Sequence, residues 1–377
     1  MSRQKSSDRF RFSAASILAA SLVFLIPALR GGDPVLYLLA VLIPCALFLC
    51  ETVLARMFSL DRMMMALVLW LCIAGIAAFA PSDPDAALAQ SLRCGAALIA
   101  LLAGGILIRS FTPSLLASAC TAFLGLLLLS GRLFSSALAL PLTEAAMALL
   151  LLSFASLFAR QGPVSALLLG ITALVLFLLG GETANAVIWA LTVLLLIFAA
   201  DGRIVLVFPA LTVTLLLFFG VFRPVPFPAL SRDPAALKIL VSAGAVGTET
   251  LPEGFSSLDT GSLFLPLAGH YGLIFAGLTA LLYLPLSLRG TAVAGSARTR
   301  FHAVLAMGVS LLLAFRSLAA LLSVFGFLPV SGFRLPFLTT SLPDLCAQLF
   351  LAGLLCGISG RNDADLAEDA HLAMLAK

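Results

Sequence analysis

The sequence predicts an all-α fold, a polytopic membrane bundle of about 10–12 spanning helices. Three observations carry this. The 377 residues are 62% hydrophobic and 11% charged, with a mean hydropathy of +1.15, which is outside the range of soluble globular domains. Apolar runs of roughly 20 residues, the length a helix needs to cross a bilayer, recur along the chain. Most charged residues fall between those runs. The net charge of +4 is dispersed over loops, so no basic patch marks a nucleic-acid partner. The seven cysteines (Cys45, Cys50, Cys72, Cys94, Cys120, Cys346, Cys356) lie in or beside apolar runs without metal-binding spacing and read as small membrane-helix residues.

Spans are expected near 12–29, 34–55, 63–80, 91–109, 113–130, 134–158, 163–180, 183–200, 203–221, 263–287, 302–325 and 336–358. The first follows Arg3, Lys5, Arg9 and Arg11, as in a signal peptide. It lacks a small-residue cleavage site before Arg30 and reads as a retained helix. The pair 91–109 and 113–130 is divided only by Arg109-Ser-Phe-Thr112. With a cytoplasmic N-terminus, one side carries Arg56, Arg62, Arg109, Arg160, Arg203, Arg289, Arg298, Arg300 and both termini. The other carries Arg30, Arg93, Arg132, Arg223, Arg232, Lys238 and Arg334. This bias of about two to one predicts both termini in the cytoplasm.

Residues 222–262 form one long outward connection, a length that usually has a function. Within it, Ala235 to Ala245 fits a short helix on the membrane surface. Between the last two spans lies Gly326-Phe-Leu-Pro-Val-Ser-Gly-Phe-Arg-Leu-Pro-Phe337. Its prolines remove amide donors and its glycines permit turns. Non-helical backbone at membrane depth survives only where protein or a wet cavity surrounds it. The segment is therefore expected to line a cavity. Glu144, Arg316 and Asp344 are deep charges, and such groups are paired or functional. Glu144–Arg316 and Arg316–Asp344 are both open as pairs, and a structural ion pair and a substrate contact are both open as roles. His270 reads as a packing histidine.

The segment at 326–337 resembles the signature of the SEDS family (shape, elongation, division and sporulation), roughly G-L-x-P-V-T-G-x-x-L-P-F. Other landmarks follow the family's order. Leu140-Pro-Leu-Thr-Glu-Ala-Ala-Met147 resembles Q-P-S-E-x-x-K, Gly181-Glu-Thr-Ala184 resembles D-x-G-T, and Leu251-Pro-Glu253 resembles the start of L-P-E-x-H-T-D-F. The chain departs from the pattern too. Met147 replaces a lysine, Gly269 and His270 replace paired glutamates, and Ser341-Leu-Pro-Asp344 replaces G-G-S-S. The resemblance is that of a divergent member. It divides the chain into two extra N-terminal helices in 1–60, a SEDS-like core over 61–361 with its outer loop, and a tail at 362–377 that is cytoplasmic and either helical or disordered.

The resemblance implies a peptidoglycan glycosyltransferase that polymerises lipid II at the outer face of the cytoplasmic membrane, working with a class B penicillin-binding protein. Such chemistry needs a carboxylate base and positive charge for a departing pyrophosphate. Asp259 is the candidate base. If Gly272 is the family's helix glycine, Gly261 holds the catalytic aspartate's place and Asp259 lies two residues early. A helix cap or solvated carboxylate is the other reading. Glu253 is the second candidate. Arg223, Arg232 and Lys238 are candidate substrate contacts or snorkelling cations; Glu144, Arg316 and Ser331 complete the candidate substrate site. No cofactor is implied with certainty, though a divalent cation is one source of the needed charge. Two alternatives stay open: a catalytically silent SEDS-like scaffold, and a flippase or transporter of lipid-linked precursors.

Overall fold

The computed structural model describes residues 2–111, 113–134, 142–202, 208, 211–212, 234–248, 263–325, 327–328 and 333–375. Side chains among them are described from 15 to 362, except 132–134 and 234–238. The helices are α1 (Ser2–Gly31), α2 (Pro34–Met57, with a π turn at Cys50–Leu54), α3 (Arg62–Ala77), α4 (Pro84–Ser110), α5 (Leu115–Phe134), α6 (Thr143–Gln161) and α7 (Pro163–Leu179). They continue as α8 (Thr183–Asp201), α9 (Pro234–Ala243), α10 (Phe264–Leu281), α11 (Tyr283–Ser296), α12 (Arg300–Val324) and α13 (Leu342–Leu375). No strand occurs among the described residues. Seven of these helical segments are long and apolar enough to cross a membrane, counting α10 and α11 as one run, and four shorter apolar helices accompany them. The protein is a multi-pass membrane protein.

Local chemistry sets the helix starts. Asp61 accepts from the amides of Met63 and Met64, Asp83 from that of Ala86, and Thr299 from that of His302. Pro34, Pro84 and Pro163 stand in the first turn, where a missing amide costs nothing. The short connections fold successive helices back on each other, so residues early in one helix meet residues late in the next.

The core is apolar. Trp189, Phe154, Phe158 and Phe177 are fully buried, and the Trp189 indole donates to the Gly170 carbonyl at 3.0 Å. Hydrophobicity alone does not drive helices together in lipid, so close approach through small residues does. α4 and α13 meet this way. A side chain at Gly353 would run into the Leu101 carbonyl, and one at Gly104 into the Phe350 carbonyl.

Several expected spans have different boundaries in the structure: α4 begins at Pro84 rather than near 91, α6 at Thr143 rather than near 134, and two more differ for a visible backbone reason. The last helix begins at Leu342 rather than near 336, because Phe337 is left-handed (φ 67°) and the backbone at 333–341 is non-helical. α10 is broken at Gly272, with φ 84°. The turn that follows α9 covers this break: Thr248 N–H donates to the Gly269 carbonyl at 2.8 Å, and Leu273 N–H to that of Gly244 at 3.0 Å. α9, at Pro234–Ala243, is helical over nearly the residues expected, 235–245. The tail continues α13 as helix to Leu375. The expected span at 203–221 and most of the long loop lie outside the described residues. The N-terminal pair packs on the rest through Trp70, whose indole donates to Ser16 Oγ at 2.7 Å, and Tyr271, whose hydroxyl donates to the Val23 carbonyl at 3.0 Å.

Candidate functional site

The folding back of successive helices collects polar side chains at one end of the bundle. Glu144 lies in the first turn of α6, Asn185 in the first turn of α8, Gln90 early in α4, Asp344 at the start of α13, and Arg316 late in α12. Arg316 is 3% exposed and forms an ion pair with Glu144. Its guanidinium also donates to Asn185 Oδ1 at 3.0 Å and reaches Met147 Sδ at 3.1 Å. Asn185 Nδ2 in turn donates to Glu182 at 2.8 Å. Three helices are thus tied by one buried cation. Of the two open pairings, Glu144–Arg316 forms; Asp344 pairs instead with Arg334, at 3.0 Å.

The described part of the signature segment is inside protein. Phe333, Leu335, Phe337, Leu338 and Thr339 are all buried. Its backbone polar groups find partners on three helices, as buried groups must. The Tyr283 hydroxyl donates to the Pro336 carbonyl, Gln90 Nε2 donates to the Thr339 carbonyl at 2.8 Å, and the Phe337 amide donates to Gln348 Oε1 at 2.6 Å. Gln90 Oε1 also accepts from Arg93 at 3.2 Å. The Pro/Gly signal found this segment, but its partners went unnoticed. Gln90, Asn185 and Gln348 are amides inside apolar helices, and that rarity was the available signal.

Glu144 and Arg316 come together as expected of deep charges. Asp259, Glu253, Arg223, Arg232 and Ser331 lie outside the described residues. Lys238 sits on α9, where only the backbone is described. His270 is partly buried at the α10 break, where its ring lies against the Thr248 backbone. Among the described residues no group of three or more metal-binding side chains gathers.

The opposite end carries a separate network. Asp61 pairs with Arg289 at 2.9 Å and accepts from Ser359 Oγ at 2.8 Å. Arg300 pairs with Asp201 at 3.3 Å, and Arg109 donates to the Phe58 and Ser59 carbonyls. These groups fasten helix ends and enclose no site.

Residues 252–363 match the model of the FtsW/RodA/SpoVE cell cycle protein family. Curated relatives include a probable peptidoglycan glycosyltransferase FtsW from Geobacter sulfurreducens, 39% identical over 90 residues, and one from Geobacter metallireducens, 37% identical over 90 residues. Each match covers 24% of this chain and 24% of the relative, so the chain aligns with about a quarter of their length. Similarity of fold extends further. The rod shape determining protein RodA of Thermus thermophilus superposes with a TM-score of 0.58 at 19% identity, over 80% of this chain and 96% of that one. A chain from a peptidoglycan synthase complex that coordinates polymerization and crosslinking gives a TM-score of 0.60 at 20% identity, over 80% and 98%.

Proposed function

We propose that the chain is a member of the SEDS family and a peptidoglycan glycosyltransferase that polymerises lipid II at the outer face of the cytoplasmic membrane. The observation that carries this is the match over 252–363, which holds the signature segment, in a chain with a RodA-like fold. The polar end of the bundle is the outer end in this reading, because the positive-inside bias puts Arg289, Arg298 and Arg300 in the cytoplasm. Both termini are then cytoplasmic. The N-terminal pair of helices is an addition to a core spanning 61–361.

In the reaction, the sugar 4-hydroxyl of one lipid-linked disaccharide attacks the anomeric carbon of another, and polyprenyl diphosphate departs. Asp259 takes the hydroxyl proton, with Glu253 the second candidate. The Glu144–Arg316–Asn185 node keeps the outer ends of α6, α8 and α12 in register beneath the reacting sugars. Arg223, Arg232 and Lys238 are assigned to the substrate's negative charge and Ser331 to its polar headgroup. A divalent cation would help neutralise that charge, and polymerisation that survives a chelator removes it from the scheme. The partner is a class B penicillin-binding protein, a reading supported by the likeness to a chain of a peptidoglycan synthase complex.

The test is polymerisation of lipid II by the purified protein with its partner. Asp259→Asn keeps size and removes basicity, so the rate should fall on the order of 10²-fold or more. A near-wild-type rate in that variant moves the role to Glu253. No polymerisation by the wild-type protein with any partner leaves a scaffold, and movement of lipid II without polymerisation leaves a flippase.

A further inference from the structure

Four charges of alternating sign sit at the polar end: Glu144, Arg316, Asp344 and Arg334. Arg316 is closed off from a ligand by burial rather than by its bonds. It is buried and divided among Glu144, Asn185 and Met147. Asp344 is 7% exposed, and it lies within electrostatic reach of Arg316 as well as bonding Arg334. Arg334 differs from these. Its side chain is 49% exposed, and its one described bond is Nη1 to Asp344 Oδ2 at 3.0 Å. A guanidinium has five donors in a planar fork that matches a phosphate edge. About half of this side chain is therefore open to a ligand.

The fork is also held in place. Arg334 stands on the segment whose carbonyls and amide are bonded by Tyr283, Gln90 and Gln348. Leu335 and Phe337, on its C-terminal side, are fully buried. Gln90, which itself accepts from Arg93, ties this segment to α4. An arginine anchored by a buried carboxylate loses little freedom when it binds, which is what a preorganised anion site requires.

We propose that Arg334, positioned by Asp344, binds the diphosphate of the polyprenyl-linked substrate. This rests on the polymerase reading for the identity of the lipid, but binding does not require turnover. The competing explanation is that Arg334–Asp344 only straps the segment to α13.

The test uses the full-length protein in lipid nanodiscs, with undecaprenyl diphosphate as the probe and undecaprenol and inorganic pyrophosphate as comparison ligands. Arg334→Gln should weaken undecaprenyl diphosphate binding by about 10-fold or more, the scale of one charged hydrogen-bonding contact, and Arg334→Lys should weaken it less. The exchange Arg334→Asp with Asp344→Arg keeps an ion pair but moves the cation to the buried position. It should recover thermal stability and leave binding lost. Wild-type binding of undecaprenol as tight as that of the diphosphate would overturn the site. So would Arg334→Gln binding within about twofold of wild type, or binding restored by the exchange. Competition by inorganic pyrophosphate would show that the diphosphate alone is read; its failure to compete while the lipid binds would show that the chain is read too. If wild type binds and Arg334→Gln does not, yet nothing is polymerised, the site stands and the polymerase reading falls. Normal polymerisation with unchanged binding in Arg334→Gln does the reverse.

Discussion

Arg316 shows how much one buried side chain can decide. A cation inside an apolar bundle persists only when its charge and donors are satisfied, and three helices share that task here. Arg316→Leu leaves Glu144 buried without its counter-charge, at an expected loss of about 3–5 kcal/mol. Glu144→Leu strands Arg316 in the same way. The double variant removes both charges and should recover most of the loss, because a buried pair and an apolar pair of similar volume differ little. Thermal denaturation of the three variants in detergent checks this. A double variant no more stable than the worse single one would mean that the charges serve more than each other. Glu144 and Arg316 were both visible in the sequence as charges within apolar runs. Their pairing was not, because 172 positions of chain separate them (316 − 144 = 172) and Asp344 competed for the same arginine.

At the scale of elements, glycine sets how closely two helices meet. α4 and α13 touch backbone to backbone at Gly353, where a Cβ would meet the Leu101 carbonyl. Backbone cannot step aside as a side chain can. Gly353→Val should therefore force the two helices apart and lose well over the 1–3 kcal/mol typical of overpacking, with low yield of folded protein in membranes. Gly277 in α10 has open space around it. Gly277→Ala should be neutral, or stabilising by up to about 1 kcal/mol from helix propensity. Fluorescence-detected size exclusion of both variants separates the cases, and equal yields would remove the close approach as a determinant. The break in α10 teaches the same lesson. Gly272 frees backbone groups, and the turn after α9 satisfies them. The existence of α9 could be read from its composition, but where it would dock could not.

For the whole molecule, the prediction concerns sidedness. The polar end and the network at Asp61, Arg289 and Ser359 lie at opposite ends of the bundle, so the proposed sidedness orients the site as well as the chain. Reporter fusions after Lys377 and within 222–262 should report opposite sides of the membrane. The same side for both would invert the assignment of the outer end and, with it, the proposed location of the chemistry.

The sequence by itself determined the solvent. Its apolar runs, of the length a bilayer demands, dictate helices because lipid offers no partner to an open backbone. It also determined where regular backbone must fail, as it does at Pro336. Only the tertiary structure decided who meets whom: Arg316 with Glu144, Arg334 with Asp344, and Gln90, Tyr283 and Gln348 with one non-helical segment. Helical periodicity gives each residue a face and a height, but it does not say which helix that face will touch. In a bundle of many similar apolar faces, packing of small residues and satisfaction of rare polar groups break the tie, and both are properties of helix pairs rather than of any single run.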